Sequence, residues 1–224
     1  FQPEQDRPYV DMMVAHIGSD HTYLTCNYSD LADYLYTSVE SRDMPTMADV
    51  DSSLLYFCSL VANEYKVVLT GECADEIFGG YPWFYRDELL SADTFPWMKD
   101  LSPRLSVLSP DIRDSLDIPG YVSSLYNSLL SEINLLPGVS DTEKRRRQIS
   151  YLNIRMFMQT LLDRMDRTSM ASGLEARVPF ADPRILEYVF NVPWEFKYSE
   201  GCEKKLLREA MKDYVPVSYT HLTL

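Results

Sequence analysis

The chain has 224 residues, 46% of them hydrophobic and 12% aromatic, which suits one folded domain with a sizeable core and excludes a disordered tail. With 34 acidic against 21 basic residues the formal net charge is −13, which excludes phosphate-backbone binding as the main task and gives no nucleic-acid partner. The apolar runs are far too short to span a bilayer, and no secretory leader pattern opens the sequence.

In chain order, residues 1–7 are polar and read as loop, and Tyr9–His16 is amphipathic and predicts a helix. Residues 21–27 alternate through Tyr23 and Thr25, the pattern of a short strand. Ser29 and Asp30 suit the cap of a following helix with Leu31, Tyr34, Leu35 and Val39 on one face. Asp51–Ala62 predicts a second amphipathic helix with Asp51-Ser52-Ser53 as its cap.

The run Tyr65–Thr70 is β-branched and lies between a helix and a glycine, as in a buried parallel strand. Gly71–Ala74 then turns, and a helix opens at Asp75 and ends at Gly79-Gly80. This order is an α/β unit, so the predicted class is α/β: part of a twisted parallel sheet with flanking helices, followed by a helix-rich C-terminal portion. Residues 82–137 read as a looping, mainly helical region. A long helix follows over about 141–163, then short ones over 183–190 and 203–213.

The cysteines Cys26, Cys58, Cys73 and Cys202 are scattered, without metal-ligand spacing, and read as reduced thiols of a cytoplasmic protein. The three histidines show no metal-ligand spacing either. The basic run Lys144–Arg147 reads as a solvated helix face.

Three segments bring charged side chains to places where chemistry is possible. Thr70-Gly71-Glu72-Cys73-Ala74-Asp75-Glu76 follows the strand's carboxyl end, where open α/β sheets bind ligands. Gly71 permits close backbone approach, and the free N–H groups of the next helix favour an anion. Three carboxylates crowd the same turn, so a phosphate ligand there calls for a divalent cation, Mg²⁺ on carboxylate and phosphate oxygens. The alternative is an ordinary acidic helix start. Arg164-Met165-Asp166-Arg167 and Glu175-Ala176-Arg177 offer guanidinium forks to a carboxylate or phosphate, or tie helices together through Asp–Arg pairs. Lys204, at the start of the last helix, suits charge neutralisation at a leaving pyrophosphate, or a solvated face.

Taken together these segments resemble class B, glutamine-hydrolysing asparagine synthetases. LTGECADEIFGGYPWF (residues 69–84) is similar to that family's S-G-E-G-x-D-E-x-F-G-G-Y stretch. RMDRTSMASGLEARVPFADPRILEYV (164–189) is similar to its D-R-x-S-M-A-x-G-L-E-x-R-V-P-F-x-D segment, and EKKLLREAM (203–211) to its E-K-x-L-L-R helix. The resemblance covers residues 1–216, read as a partial synthetase domain of the ATP-pyrophosphatase type, and leaves 217–224 as a tail.

The resemblance implies that aspartate's side-chain carboxylate is activated by ATP and Mg²⁺ to β-aspartyl-adenylate. Ammonia, drawn from glutamine, then attacks to give asparagine and AMP. Carried over by position, Thr70 and Gly71 are the ATP-contacting pair. Glu72 is the carboxylate tied to adenylate formation and ammonia attack, and Asp75 is the acidic position serving Mg²⁺ and pyrophosphate. Lys204 stabilises charge during adenylation, and Arg164 and Glu175 lie in matching segments with a substrate or structural role. A homodimer is a further expectation.

Departures from the family pattern are as clear. No S-G-G-x-D-S-S phosphate loop is present, since Asp51-Ser52-Ser53 follows Ala48-Asp49-Val50 without glycine. The glutaminase domain with its N-terminal cysteine is absent too. The chain alone is therefore expected to be inactive or nearly so. Cys73 replaces the family's glycine, which is tolerable if that position has negative φ. Two other functions stay open: a relative that forms β-lactams or cyclises peptides by activating another carboxylate, and a non-catalytic interaction module that keeps the fold.

Overall fold

A computed structural model describes residues 3–45 and 47–216, without the side chains of 3–5, 48 and 49; the tail 217–224 lies outside the described residues. The elements run α1 (Pro3–Ile17), α2 (Tyr28–Asp33), α3 (Leu35–Arg42), α4 (Ala48–Val61), β1 (Val67–Leu69) and α5 (Ala74–Phe78). Then come α6 (Asp87–Leu90), α7 (Ser102–Ser106), α8 (Pro110–Ser115), α9 (Ile118–Ser131) and α10 (Asp141–Leu152). A π-helical turn (Asn153–Phe157) joins α10 to α11 (Met158–Ala171), followed by β2 (Glu175–Arg177), α12 (Pro183–Asn191), α13 (Trp194–Lys197) and α14 (Lys205–Met211). None of these helices is long and apolar enough to cross a membrane.

The α/β class stands in a helix-dominated form: the sheet of the described residues has two parallel strands, with Val67 opposite Glu175 and Leu69 opposite Arg177. Thr70 N extends the ladder by donating to Arg177 O at 2.9 Å. The larger twisted sheet is not seen in these residues. Nor is β1 buried as predicted: Leu69 is 73% exposed, because only β2 pairs with β1 and its far side is uncovered among the described residues.

Other departures have local causes. Residues 21–27 form no strand; they are mostly exposed, and alternation without a partner strand or a buried face fixes nothing. Asn27, rather than Ser29 or Asp30, caps α2: its side chain accepts from Ser29 N and Asp30 N, and Asp30 returns a bond to Asn27 N. Helix α4 starts at Ala48, so Asp51 and Ser52 are buried inside its first turns instead of capping it. The long helix continues to Ala171 and therefore carries Arg164 and Arg167 itself.

The basic run Lys144–Arg147 is no solvated face. Arg145 donates to the carbonyls of Leu90 and Ala92 and to Tyr126 OH, and Arg146 donates to Phe84 O. These bonds satisfy carbonyls at the ends of short, irregular pieces that lack a regular ladder. The run thus sews residues 84–92 onto α10.

Helices α3, α4 and α11 pack on one another, and α11 also backs β2. Where they meet, Arg42 is buried against Asp51 at 3.7 Å and reaches Asp163 at 3.3 Å. A second core, built of Cys73, Ile77, Phe78, Met158 and Val189, joins α5 to the π turn, α11 and α12. Removing one member of a buried ion pair leaves the other charge unpaired, at about 3–5 kcal/mol. Arg42→Met is therefore expected to lower unfolding free energy by about that much, and the Arg42→Met, Asp51→Met double variant by less, read from urea midpoints.

Candidate active site

The turn after β1 is the place where distant parts of the chain deliver charge. Strand β1 ends at Leu69, and the chain turns through Gly71 into α5. Glu72 receives Arg164 from α11: Nη2 to Oε1 is 3.1 Å, with the two side chains 20% and 18% exposed. Asp75 receives Lys204, which precedes α14, with Nζ to Oδ1 at 2.8 Å. The structure thus brings Thr70, Gly71, Glu72, Asp75, Arg164 and Lys204 together, and Lys204 is not on a solvated face.

Glu175 stands apart. It pairs in register with Val67, at the entry end of β1, and its exposed carboxylate binds Arg177 of its own strand at 2.8 Å.

The backbone around the paired carboxylates is unusual at two non-glycine positions, one in the turn and one before α14. Cys73 has φ of 72°, so the expected negative φ does not hold. Its side chain is 1% exposed and packs with Ile77, Phe78 and Met158, and that packing offsets a left-handed conformation costing on the order of 1–3 kcal/mol. Burial also pushes the Cys73 thiol up to about 12, so it stays protonated and is no nucleophile near neutrality. Lys204 is left-handed as well, at φ 53°, which turns its side chain back from α14 toward Asp75.

The two glycines after α5 have distinct reasons. Gly79 caps the helix at φ 77°, and a Cβ there would lie 2.6 Å from the Trp194 ring. At Gly80 a Cβ would lie 1.8 Å from Asp75 Oδ1. Gly71 differs: its φ is not positive, and a Cβ would meet nothing of the protein within 4 Å. Neither strain nor packing asks for glycine at that position.

The three carboxylates do not crowd one surface, as the sequence suggests. Glu76 turns inward, 2% exposed, and accepts from Tyr81 OH. Burial raises its pKa, and the Tyr81 hydrogen bond acts against that rise. Sequence reasoning missed two supporting residues, Tyr81 and Asn153. Asn153, fully buried in the π turn, donates Nδ2 to Glu76 O at 3.1 Å. A polar residue in an otherwise apolar helix stripe was the available signal for Asn153, and for Tyr81 it was the closing Tyr of the F-G-G-Y stretch.

Glu72 Oε2 is buried and lacks a hydrogen-bond partner. Among the described residues no three His, Cys, Asp or Glu side chains group to hold a metal ion. The partly exposed Asp75 nevertheless fits Mg²⁺, which is commonly held by one or two carboxylates with substrate phosphates and water.

Because the Gly80 contact is specific to Asp75, Gly80→Ala is expected to destabilise by about 1–3 kcal/mol through overpacking. Asp75→Ala in the same chain removes the clash, so the double variant is expected to be more stable than the sum of the single losses, by thermal unfolding of all four proteins.

Comparison with known proteins agrees with the three motifs. The asparagine synthase family model matches residues 1–222. A Bacillus subtilis (strain 168) protein named asparagine synthetase [glutamine-hydrolyzing] 3 is 46% identical over 216 residues, 96% of this chain and 35% of its own length. A human protein named asparagine synthetase [glutamine-hydrolyzing] is 27% identical over 88% of this chain and 27% of its own. An amidase named chry2, from Gibberella zeae, is 27% identical over 69% of this chain and 30% of its own. The chain spans about a third of the length of the curated relatives it matches. It belongs to the asparagine synthase family.

Proposed function

We propose that this chain is part of an enzyme that amidates aspartate to asparagine with ATP, through a β-aspartyl-adenylate. The observation that carries the reading is the convergence of Glu72, Arg164, Asp75 and Lys204 on one turn at the carboxyl end of a parallel strand. Ammonia is supplied from glutamine by a glutaminase domain outside these residues, and the phosphate-cradling loop lies outside them too. In this reading β1 and β2 belong to a larger twisted parallel sheet, an assignment supported by the uncovered Leu69. The enzyme is cytoplasmic, and a homodimer is compatible with it.

The chain's own groups divide the work as follows. Thr70 and Gly71 contact ATP; the open space at Gly71 supports a backbone that a ligand approaches closely. The aspartate carboxylate oxygen bonds to the α-phosphorus of ATP, and pyrophosphate leaves with the electron pair of the broken P–O bond. Lys204 meets the charge that grows on the phosphate oxygens, exchanging its Asp75 partner for them. Ammonia then bonds to the activated acyl carbon, AMP leaves, and the surplus ammonium proton passes to a carboxylate. Glu72 is suited to accept it, because Arg164 holds one of its oxygens and leaves Oε2 unpartnered. When bound, Mg²⁺ would neutralise phosphate charge, with Asp75 as its carboxylate.

A second reading, a related adenylating amide-forming enzyme acting on another carboxylate, is kept because a protein named an amidase is among the relatives. An interaction module is disfavoured, since it has no use for these paired charges in one turn.

Glu72→Gln keeps the size and the Arg164 contact but removes the base. In a longer protein that contains this chain and forms asparagine, kcat for asparagine is expected to fall by about 10²–10³, with KM for ATP changed only a few-fold. Unaltered asparagine formation would remove Glu72 from the chemistry.

A further inference from the structure

A second cluster of cations lies away from the turn, in a cavity of about 130 Å³ between α10 and the α12–α13 junction. Lys197, Arg147, Glu143, Trp194, Phe190 and Leu136 are among its walls. Lys197 is 2% exposed; its Nζ lies over the Trp194 ring at 5.5 Å, and Glu143 is the carboxylate whose charge acts on it. Arg147 Nε and Trp194 Nε1 are buried donors without acceptors. The one carboxylate in the wall, Glu143, accepts from Trp194 N at 3.3 Å. Two buried donors on one cavity, Arg147 Nε and Trp194 Nε1, thus lack acceptors, although Arg147 Nη2 donates to Asn191 Oδ1 at 3.4 Å, and a buried polar group left unpaired is unfavourable.

Most of the remaining wall is apolar, with Leu136, Val139, Phe190, Val192 and Pro193, and Ser150 and Asn191 are its polar members. The volume is close to that of a cavity of about 150 Å³ that admits benzene, so one ring or a short branched chain fits and a nucleotide does not. We propose that this cavity binds a small organic carboxylate, its charge on Lys197 and Arg147 and its apolar body against Leu136 and Phe190. A bare inorganic anion would leave the apolar wall unused.

The charged groups facing Lys197 are Glu143 and Arg147 of α10; Glu195, on its own helix, is exposed. Burial lowers the Lys197 pKa to about 8, Glu143 acts against that fall, and Arg147 adds to it. The lysine is therefore charged below about pH 8 and neutral above it. Carboxylate affinity is expected to fall as pH rises through that value.

Calorimetric titration of the full chain with benzoate at pH 7 tests the proposal, beside benzamide and inorganic phosphate. One benzoate is expected per chain, with benzamide and phosphate at least tenfold weaker and affinity falling at least tenfold between pH 7 and 9.5. Lys197→Met is expected to weaken benzoate at least tenfold. Should that variant not fold, Arg147→Gln and the pH profile of the unaltered chain decide the matter. No binding, benzamide equal to benzoate, phosphate equal to benzoate, or a pH-independent affinity each overturns the proposal.

Discussion

Two ion pairs that reach across the chain hold the turn after β1. Glu72 and Asp75 lie three residues apart at a helix start, and each is met by a cation from a different helix region far along the sequence. Such pairs, partly shielded from water, are less screened than exposed ones. They tie α11 and the approach to α14 onto a three-residue strand whose two-stranded sheet is too small to position anything alone. The pairs and the core beneath them, from Cys73 to Val189, are one arrangement: apolar contacts set the helices side by side, and the charges fix which side chains face the turn.

The backbone around those charges is strained where they meet. Cys73 and Lys204 are two of the four non-glycine residues with positive φ among the described residues, and both adjoin the paired carboxylates. Conformations of this kind persist where the surroundings over-determine them, and they gather at functional sites. Cys73 is held by close packing, and Lys204 by its bond to Asp75. The π turn belongs to the same region: it sets Asn153 under α5, where it bonds the Glu76 carbonyl.

The sequence made the helix–strand–turn–helix unit legible because Val67–Leu69 and the two glycines after α5 are strong local signals. The family resemblance pointed to Glu72, Asp75 and Lys204, because the order and wording of the three motifs survive without knowledge of packing. Whether Lys204 faced solvent or a carboxylate could not be read locally, since a left-handed residue before α14 decides it. The inward turn of Glu76, the sign of φ at Cys73 and the docking of Arg145 onto loop carbonyls are likewise products of long-range packing. Alternation at 21–27 misled because a period of two predicts a strand only where a partner and a buried face exist. The exposure of β1 was beyond local reading for the converse reason: its apolar run suits a strand covered on all sides, and among the described residues only β2 pairs with it.

In the proposed reaction Lys204 leaves Asp75 for the phosphates as the carboxylate is activated. Aspartate-dependent exchange of labelled pyrophosphate into ATP reads that step alone, without ammonia or glutamine. In a longer family protein that contains this chain, Lys204→Met is predicted to reduce the exchange rate by about 10²–10³ while the protein stays folded. Exchange at the unaltered rate would contradict the claim and return Lys204 to a purely structural pair with Asp75.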